Sequence, residues 1–328
     1  MKGGEKMSIR FKIKACSLII VVLLVSIFSI SVFSAQQYDL LVMSSVIGGI
    51  GFQYSSGVAR VLGVVLPDAR VTMEATSGYI DNAKRLYAGF GDLGIVSHDT
   101  AREVYLNEGA FGGKGTSLLT IAPIHILYWN LVVNEDSPIK TIWDLEGKRV
   151  NLQPKGSSAE STAAKLFEAL KINIIPSYYR HTEAAEGMRT GAIDSHWQGG
   201  SNPTWMEYSV RKPVRVIEFS DEDVAKIRKE LPFLSKVSFP AGDYYEGSGN
   251  VQVVGTWALL MCRENLEEDV VYEITKGMYE HKDLMLAAHP GAADMGLDKV
   301  LDCTVPYHPG AIKYYQENGV QIPSELIP

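Results

Sequence analysis

The sequence has few of the residues that metal, redox and nucleotide sites require. It contains three cysteines in 328 residues and no C-x-x-C pair, which excludes a zinc ribbon and a thioredoxin-type redox motif. The histidines show neither H-E-x-x-H nor H-x-x-x-H spacing, and no P-loop sequence is present. We therefore predict a protein without a bound metal or cofactor.

Positive charge is also scarce beyond the first 35 residues. Residues 1–35 carry five Lys or Arg side chains and one Glu, so the remaining chain has 26 basic and 37 acidic side chains, a net charge of −11. Nucleic acid and anionic lipid both attract basic protein surfaces. The acidic balance predicts that neither is a partner of this chain.

The amino terminus has the layout of a secretory signal. A basic head precedes an uncharged apolar run over Ala15–Phe33, and the small residues Ser34 and Ala35 follow it. A run of this length can also span a bilayer, so a retained N-terminal anchor is the alternative. Cys16 stands at the start of the run, which disfavours a lipoprotein anchor. We predict that residues 1–35 are a signal peptide, and both alternatives place the remaining chain in the periplasm or another extracytoplasmic space.

Beyond residue 38, strand-like and helix-like segments alternate. Short apolar strands such as Arg70–Glu74 and Lys148–Leu152 are each followed by a turn and a segment with helical spacing. This alternation predicts an α/β fold with a mostly parallel sheet and helices on both faces. Two further apolar segments, Leu118–Val133 and Val251–Met261, are long enough to extend beyond one α/β unit.

The two long strands predict two lobes joined by a hinge. The first would carry the chain from one α/β unit into the other, and the second would carry it back. On this interpretation residues 36–124 and 255–328 form lobe 1, and residues 125–254 form lobe 2. Small ligands commonly bind between such units, so we expect an interlobe cleft.

The turns after the strands are the candidate ligand-binding segments, because ligands of parallel α/β sheets lie beyond the carboxyl ends of the strands. Lys155-Gly156-Ser157-Ser158 combines a cation, a glycine and two hydroxyls in such a turn, which suits a carboxylate or phosphate. An ordinary helix N-cap explains the same residues equally well. The glycine-rich segment Ser44–Gly51 lacks the spacing of dinucleotide sites and is either a cleft loop or a surface turn.

Histidine and tryptophan side chains lie near these turns. His98 and Asp99 are a candidate acid–base pair, although we favour a hydrogen bond to a ligand or to a helix start. Trp197 and Trp205 form either an aromatic wall for a ligand or part of the core. A secreted hydrolase that uses His98 and Asp99 is the weakest functional hypothesis, since the sequence has no nucleophile elbow.

Several ordered segments resemble one family. They are VTMEATSGYIDNAKRLYAGFGDLGIVSHD, TIAPIHILYWNLVVNEDSPIKTIWDLEGKRVNLQPKGSSAESTAAKLFEAL, FPAGDYYEG, LEEDVVYEITKGMYEH, LAAHP and VPYHPGAIKYYQENG. Over about residues 41–320 the chain resembles the TAXI-type solute receptors of tripartite ATP-independent periplasmic (TRAP) transporters. The resemblance implies a type II periplasmic binding protein architecture and a small, commonly acidic, organic solute. It also implies delivery to a membrane permease driven by an ion gradient.

The loops expected at the cleft depart from the family pattern more than the framework does. Gly51 and Phe52 stand where the family has two aromatic residues, and His98 stands where it has serine. These departures imply a ligand or a cleft that differs from the usual one. The residues expected to bind the solute are Ser45, Gly49, Phe52, Ser77, His98 and Asp99 from lobe 1, and Lys155, Ser157, Ser158, Trp197 and Gln198 from lobe 2.

The sequence thus predicts an exported, non-enzymatic, monomeric protein that captures a small organic anion for a TRAP permease. A ligand sensor for a membrane kinase, or an ABC-type receptor, would share the fold and is the alternative. If the solute is anionic, Lys155→Ala should weaken its binding. Cys262 and Cys303 are interpreted as two buried thiols, although export would also permit a disulfide.

Overall fold

The structure is a computed structural model, and it describes residues 39–200, 203–243, 245 and 249–328. The signal peptide or anchor predicted at residues 1–35 lies outside this described part of the chain. Of the helices within it, none is both long enough and apolar enough to cross a membrane.

The described chain alternates strands and helices around one ten-stranded sheet. The strands are β1 (Asp39–Met43), β2 (Arg70–Glu74), β3 (Leu93–Ser97), β4 (Leu118–Asn134), β5 (Arg149–Asn151), β6 (Ile175–Ser177), β7 (Ser195–Gly199), β8 (Val214–Val216), β9 (Ser235–Phe239) and β10 (Val251–Arg263). The helices are α1 (Ile50–Val65), α2 (Tyr79–Tyr87), α3 (His98–Leu106), α4 (Ser158–Leu170), α5 (His181–Thr190), α6 (Pro203–Arg211), α7 (Asp221–Glu230), α8 (Glu268–Glu280), α9 (Lys282–Ala288) and α10 (Pro309–Glu317). Short 3-10 helices lie at Gly109–Phe111, Ile142–Leu145, Ala241–Asp243, Pro290–Asp294, Leu297–Asp302 and Ser324–Leu326.

The sheet has two halves, and the long strands β4 and β10 belong to both. In the first half β1 pairs in parallel with β2 and β3, and β3 pairs antiparallel with residues 258–262 of β10. In the second half β5 pairs in parallel with β6 and β7, and β7 pairs antiparallel with residues 129–132 of β4. The strand order is β2-β1-β3-β10-β4-β7-β5-β6, with β8 on β4 and β9 on β10. The antiparallel pair of β4 and β10 therefore connects the halves, while the lobe boundaries stay a prediction.

A β-bulge interrupts the pair of long strands at their middle. Ala258 pairs with His125, but the next residue, Leu259, pairs with Pro123, so Ile124 is skipped in the register. Proline has no N–H to donate to a strand ladder and is tolerated at such irregularities. Bulges also turn neighbouring side chains in new directions. This bulge lies beside His125, which faces the cleft described below.

The central strands are apolar because they are buried on both faces. All five residues of β3 are buried, and so are the first eight residues of β4. The second half has its own core, in which Trp129 of β4 and Trp197 of β7 pack with side chains of α4 and α7. Burial on both faces explains why these strands are recognisable in the sequence as short continuous apolar runs.

Three elements differ from the sequence-based expectation. The first helix begins at Ile50, inside the segment Ser44–Gly51 that the sequence left as a loop or turn, because Gly48 adopts a φ of +83° and turns the chain into the helix early. Strand β9 and helix α6 were not predicted. Helix α6 starts directly with Pro203, a residue favoured at the first helical position, and buries Trp205 against the core.

Candidate ligand-binding site

A cleft with a volume of about 1020 Å³ lies beside the middle of β4, where the two halves of the sheet meet. Its first-half walls come from the loop after β1, the start of α2 and residues 289–294. Its second-half walls come from the loop before α4, the end of β7 and the end of β9. A small molecule in this cleft would therefore contact both halves.

The N-termini of α1, α2 and α4 open into the cleft. Residues in the first turns of α1, α2 and α4 lie in its lining, among them Ile50, Tyr79 and Ser158. The N-caps of α1 and α2 are Gly49 and Gly78, which provide no side-chain cap. The first N–H groups of a helix lack intrahelical partners, and the helix dipole places partial positive charge there. The cleft therefore favours acceptor atoms and anionic groups.

A stacked pair of rings forms one side of the cleft. Tyr54 of α1 and His125 of β4 lie with their ring centroids 4.1 Å apart and their planes 3° from parallel. The Tyr79 hydroxyl lies 2.9 Å from Nε2 of His125, and Nδ1 of His125 lies 3.3 Å from the carbonyl oxygen of Ile126. A carbonyl only accepts, so Nδ1 carries the hydrogen and Tyr79 donates to Nε2. Burial lowers the pKa of His125 to about 3, so this ring is neutral at pH 7.

The charged side chains in the lining are one lysine and two aspartates. Asp81 is paired with Arg85 and accepts the N–H of Ser77 at 3.0 Å, and this backbone hydrogen bond lowers its pKa. Asp294 accepts from the Tyr128 hydroxyl at 3.2 Å, while burial raises its pKa. Lys84 is the single Lys or Arg among the described lining residues. Full positive charge in the cleft thus comes from Lys84, and partial positive charge comes from the helix ends.

Four of the eleven residues expected to bind the solute lie in the cleft lining: Ser45, Ser77, Ser157 and Ser158. Ser157 is the N-cap of α4, and its hydroxyl accepts the N–H of Glu160 at 3.2 Å. This is the helix-capping role that the sequence left open as an alternative. The hydroxyl of Ser158 has no such capping role, so it is the better candidate for a contact with a solute.

The structure places His98 and Asp99 outside the cleft lining. Both begin α3, and both are buried. Nε2 of His98 accepts the backbone N–H of Thr304 at 2.9 Å, so the ring connects α3 to the carboxyl-terminal segment. Burial lowers the pKa of His98 to about 3 and raises that of Asp99. The pair has no access to a substrate, and the hydrolase hypothesis loses its candidate catalytic residues.

Trp197 and Gln198 also lie outside the lining, because strand β7 is buried on both faces. Trp197 stacks on Trp129 with ring centroids 5.7 Å apart. The side-chain amide of Gln198 donates to the hydroxyl of Tyr245. It is Gly199, at the end of the strand, that reaches the cleft.

The last three expected residues lie near the cleft but not in its lining. Lys155 is exposed, and its ammonium lies 4.6 Å from the centroid of the Tyr178 ring. Gly49 is the N-cap of α1, and Phe52 is half-buried on that helix. Because α1 begins at Ile50, helical spacing brings Tyr54 rather than Phe52 to the cleft.

Several lining residues were not predicted as ligand contacts. They are Tyr54, Tyr79, Lys84, His125, His181, His289 and Asp294. Tyr79 follows the predicted turn residues directly, and its position at the start of α2 could have identified it. His125 lies within β4 and not in one of the turns that follow the strands. His181 and His289 had no sequence signal, since tertiary contacts alone bring them to the cleft.

Metal and thiol chemistry have no candidate site in the described part of the chain. No group of three or more His, Cys, Asp or Glu residues there is placed to hold a metal ion. Cys262 and Cys303 are both buried and do not form a disulfide with each other. Burial raises the pKa of the Cys303 thiol to about 12, which keeps it protonated and unreactive.

Comparisons with known proteins place the chain in a structural class. A family model described as the NMT1-like family matches residues 45–319. Among solved structures, the chain is similar to a TctC solute binding protein from Polaromonas, with 15% identity, a TM-score of 0.51, and coverage of 80% of this chain and 90% of that one. It is also similar to XAC2383 from Xanthomonas citri bound to ATP, with 11% identity, a TM-score of 0.50, and coverage of 86% and 95%. The periplasmic aliphatic sulphonate binding protein SsuA from Escherichia coli has 15% identity, a TM-score of 0.46, and coverage of 89% and 88%. The predicted α/β, two-lobed binding-protein fold is confirmed.

Proposed function

The chain belongs to the NMT1-like family, and from this premise we propose that it is an extracytoplasmic protein that binds a small organic solute without changing it chemically. The observation that carries the proposal is the cleft, whose walls come from both halves of the sheet. A solute that contacts both halves stabilises the closed arrangement relative to the open one. Closure then gives a membrane partner a way to distinguish the loaded protein from the empty one.

An organic acid is the solute class that the cleft supports best. Three helix N-termini and the ammonium of Lys84 supply positive charge and N–H donors, and Tyr54 and Tyr79 supply apolar surface. The two aspartates are engaged by Arg85 and by Tyr128. A carboxylate on a small carbon skeleton matches both kinds of surface.

The proposal extends to the membrane transporter that receives the solute. The ordered segments that resemble TAXI-type receptors support delivery to a TRAP permease driven by an ion gradient, with the protein acting as an exported monomer. A neighbouring gene for a large fused permease would support this role. A neighbouring gene for a membrane kinase, without such a permease, would favour the ligand sensor instead.

Mass spectrometry of small molecules released by denaturing the purified protein tests the function directly. We expect an intact organic acid in stoichiometric amount. A thermal-shift screen of organic acids and amino acids follows, since a solute that binds only the folded protein raises its melting temperature. Recovery of a hydrolysed product instead of an intact solute would contradict a binding function.

Lys84→Ala is expected to weaken acid binding by about tenfold or more, because a hydrogen bond to a charged group contributes roughly 1.5–3 kcal/mol. Lys155→Ala is the matched control: both lysine side chains are exposed, but only that of Lys84 lies in the cleft lining. We expect less than about threefold weakening for this control, because a charge that makes no contact with the solute acts only through screened, long-range attraction. Isothermal titration calorimetry with the acid found in the screen measures both. If Lys155→Ala weakened acid binding more than Lys84→Ala, Lys155 and not Lys84 would be the lysine that contacts the solute.

A further inference from the structure

Two histidines in the cleft lining have the same unusual bonding. His181 begins α5 in the second half of the sheet, and His289 lies just before the Pro290–Asp294 turn, with its ring 4.8 Å from that of Tyr54. Both rings are half-buried and reach the cleft. In each ring Nδ1 is bonded within the protein, whereas Nε2 has no partner among the described residues. The hydrogen on each ring can therefore be assigned from its partners.

The tautomer of His181 is fixed by Trp205. The indole Nε1–H of Trp205 points at Nδ1 of His181 at 3.3 Å. An indole nitrogen only donates, so Nδ1 of His181 accepts and carries no hydrogen. A neutral imidazole has one hydrogen on its two nitrogens, and that hydrogen must then be on Nε2.

A second chain of hydrogen bonds gives the same assignment. Oδ1 of Asn151 accepts the backbone N–H of Tyr179 at 2.7 Å, which fixes the orientation of the amide. Its Nδ2 therefore donates to Nδ1 of His196 at 2.9 Å, so the hydrogen of His196 is on Nε2. That nitrogen lies 3.3 Å from Nδ1 of His181 and donates to it. Two donors thus converge on the same nitrogen of His181.

The tautomer of His289 is fixed by a single hydrogen bond. The backbone N–H of Gly291 donates to Nδ1 of His289 at 3.0 Å. Nε2 of His289 therefore carries the hydrogen when the ring is neutral. Burial lowers the pKa of both His181 and His289, which favours the neutral ring. His125 is the contrast, since both of its nitrogens have partners within the protein.

We propose that His181 and His289 contact the solute through neutral Nε2–H donors from opposite halves of the cleft, and that Asn151, His196 and Trp205 position His181. This inference rests on the proposed solute-binding function. Neither ring can accept a hydrogen bond at Nε2 without losing a bond at Nδ1. The pair therefore selects acceptor oxygens and rejects an ammonium group, which would leave two donors facing each other.

Nitrogen-15 NMR of the purified protein at neutral pH tests the tautomers without any solute. The expected result is the Nε2–H tautomer for His181 and His289 and the Nδ1–H tautomer for His125, each assigned from its His→Gln variant. Nδ1–H or a doubly protonated ring at His181 or His289 would overturn the assignment. In Trp205→Phe the donor from His196 remains, so we expect His181 to keep the Nε2–H tautomer with a changed Nδ1 chemical shift, and no change at His289. An unchanged His181 spectrum in that variant would remove Trp205 from the positioning role.

Calorimetry with linear dicarboxylates, from malonate to suberate, tests the contacts. His181→Phe and His289→Phe are each expected to weaken the tightest-binding dicarboxylate by about tenfold, whereas the matched Gln variants, which keep an N–H donor, should stay within about threefold. Phe variants that bind as tightly as the parent would overturn the contact role. If no dicarboxylate binds the parent but the thermal-shift screen finds another organic acid, the contact role with a dicarboxylate fails and the acid-binding function stands. If no organic acid binds at all, the acid-binding function fails, while the NMR result still decides the tautomers separately.

Discussion

On acidification from about pH 7.5 to about pH 4.5, the protein is expected to lose roughly 5 kcal/mol of its unfolding free energy. This amount is the contribution of His98 and His125, whose pKa values burial lowers to about 3 in the folded state. Buried His196, whose pKa is lowered as well, adds to the loss in the same direction. Unfolded histidine has a pKa near 6.5, so at pH 4.5 His98 and His125 each bind a proton in the unfolded chain and not in the folded protein. Each pH unit below 6.5 then costs about 1.4 kcal/mol per histidine until the folded pKa is reached.

The sign of this effect follows from the depressed pKa values. The contribution of the buried neutral histidines to the unfolding free energy is fully present above pH 6.5 and is lost progressively as the pH falls toward 3. Buried Asp99 opposes it in part, because its raised pKa favours folding as the carboxyl becomes protonated. Urea unfolding midpoints measured across this pH range give the slope. His98→Gln, which keeps an acceptor for the N–H of Thr304, should remove the contribution of one histidine, about 2.7 kcal/mol between pH 6.5 and pH 4.5. A midpoint that does not change with pH would contradict the buried neutral histidines.

Trp197→Ala is expected to destabilise the protein by about 3–5 kcal/mol, because the indole is fully buried and its removal leaves a large cavity. The stacking contact with Trp129 is lost as well. Trp143→Ala provides the control, since that indole is 41% exposed and donates one hydrogen bond to Asp223 at 2.7 Å. Its loss should cost about 1 kcal/mol.

The comparison also decides between two roles for Trp197. If Trp197 contacted the solute, its replacement by alanine would lower solute affinity with a modest change in stability. If Trp197 belongs to the core, where the structure places it, the replacement lowers the unfolding free energy more than the solute affinity. Chemical denaturation of both alanine variants, together with calorimetry on Trp197→Ala below its melting temperature, separates the two. A stable variant that has lost binding would restore the role expected from the sequence.

The fold was predictable from the sequence because its central strands are buried on both faces. Such strands appear as apolar runs, and the length of Leu118–Asn134 was itself a signal of a strand that extends through both halves. Strand β9 escaped prediction because its sequence, SKVSF, mixes polar and apolar residues and is buried fully only at Phe239. Helix α6 begins at Pro203, so close to the glycines at the end of β7 that the sequence shows no separate helix start.

The candidate site was predictable only where it depends on local sequence. Ser45 and Ser77 lie in turns after strands and Ser158 begins the helix that follows such a turn, and these turns are recognisable without a structure. The sequence left two roles open for Trp197 because nothing local distinguishes a buried strand end from an exposed one. His181 could not be found, since its role depends on Trp205, which reaches it only through tertiary packing.

The late position of β10 affects the order in which the sheet can be completed during synthesis. Strand β3 needs residues 258–262 as its neighbour, and the ribosome makes these only after the whole second half. Until then one edge of β3 and one edge of β4 are open and apolar, which makes them templates for wrong pairing with other chains. A holding chaperone is therefore expected to bind the nascent chain between the completion of β3 and that of β10. If the chain is exported unfolded, the same interval recurs as it emerges on the far side of the membrane.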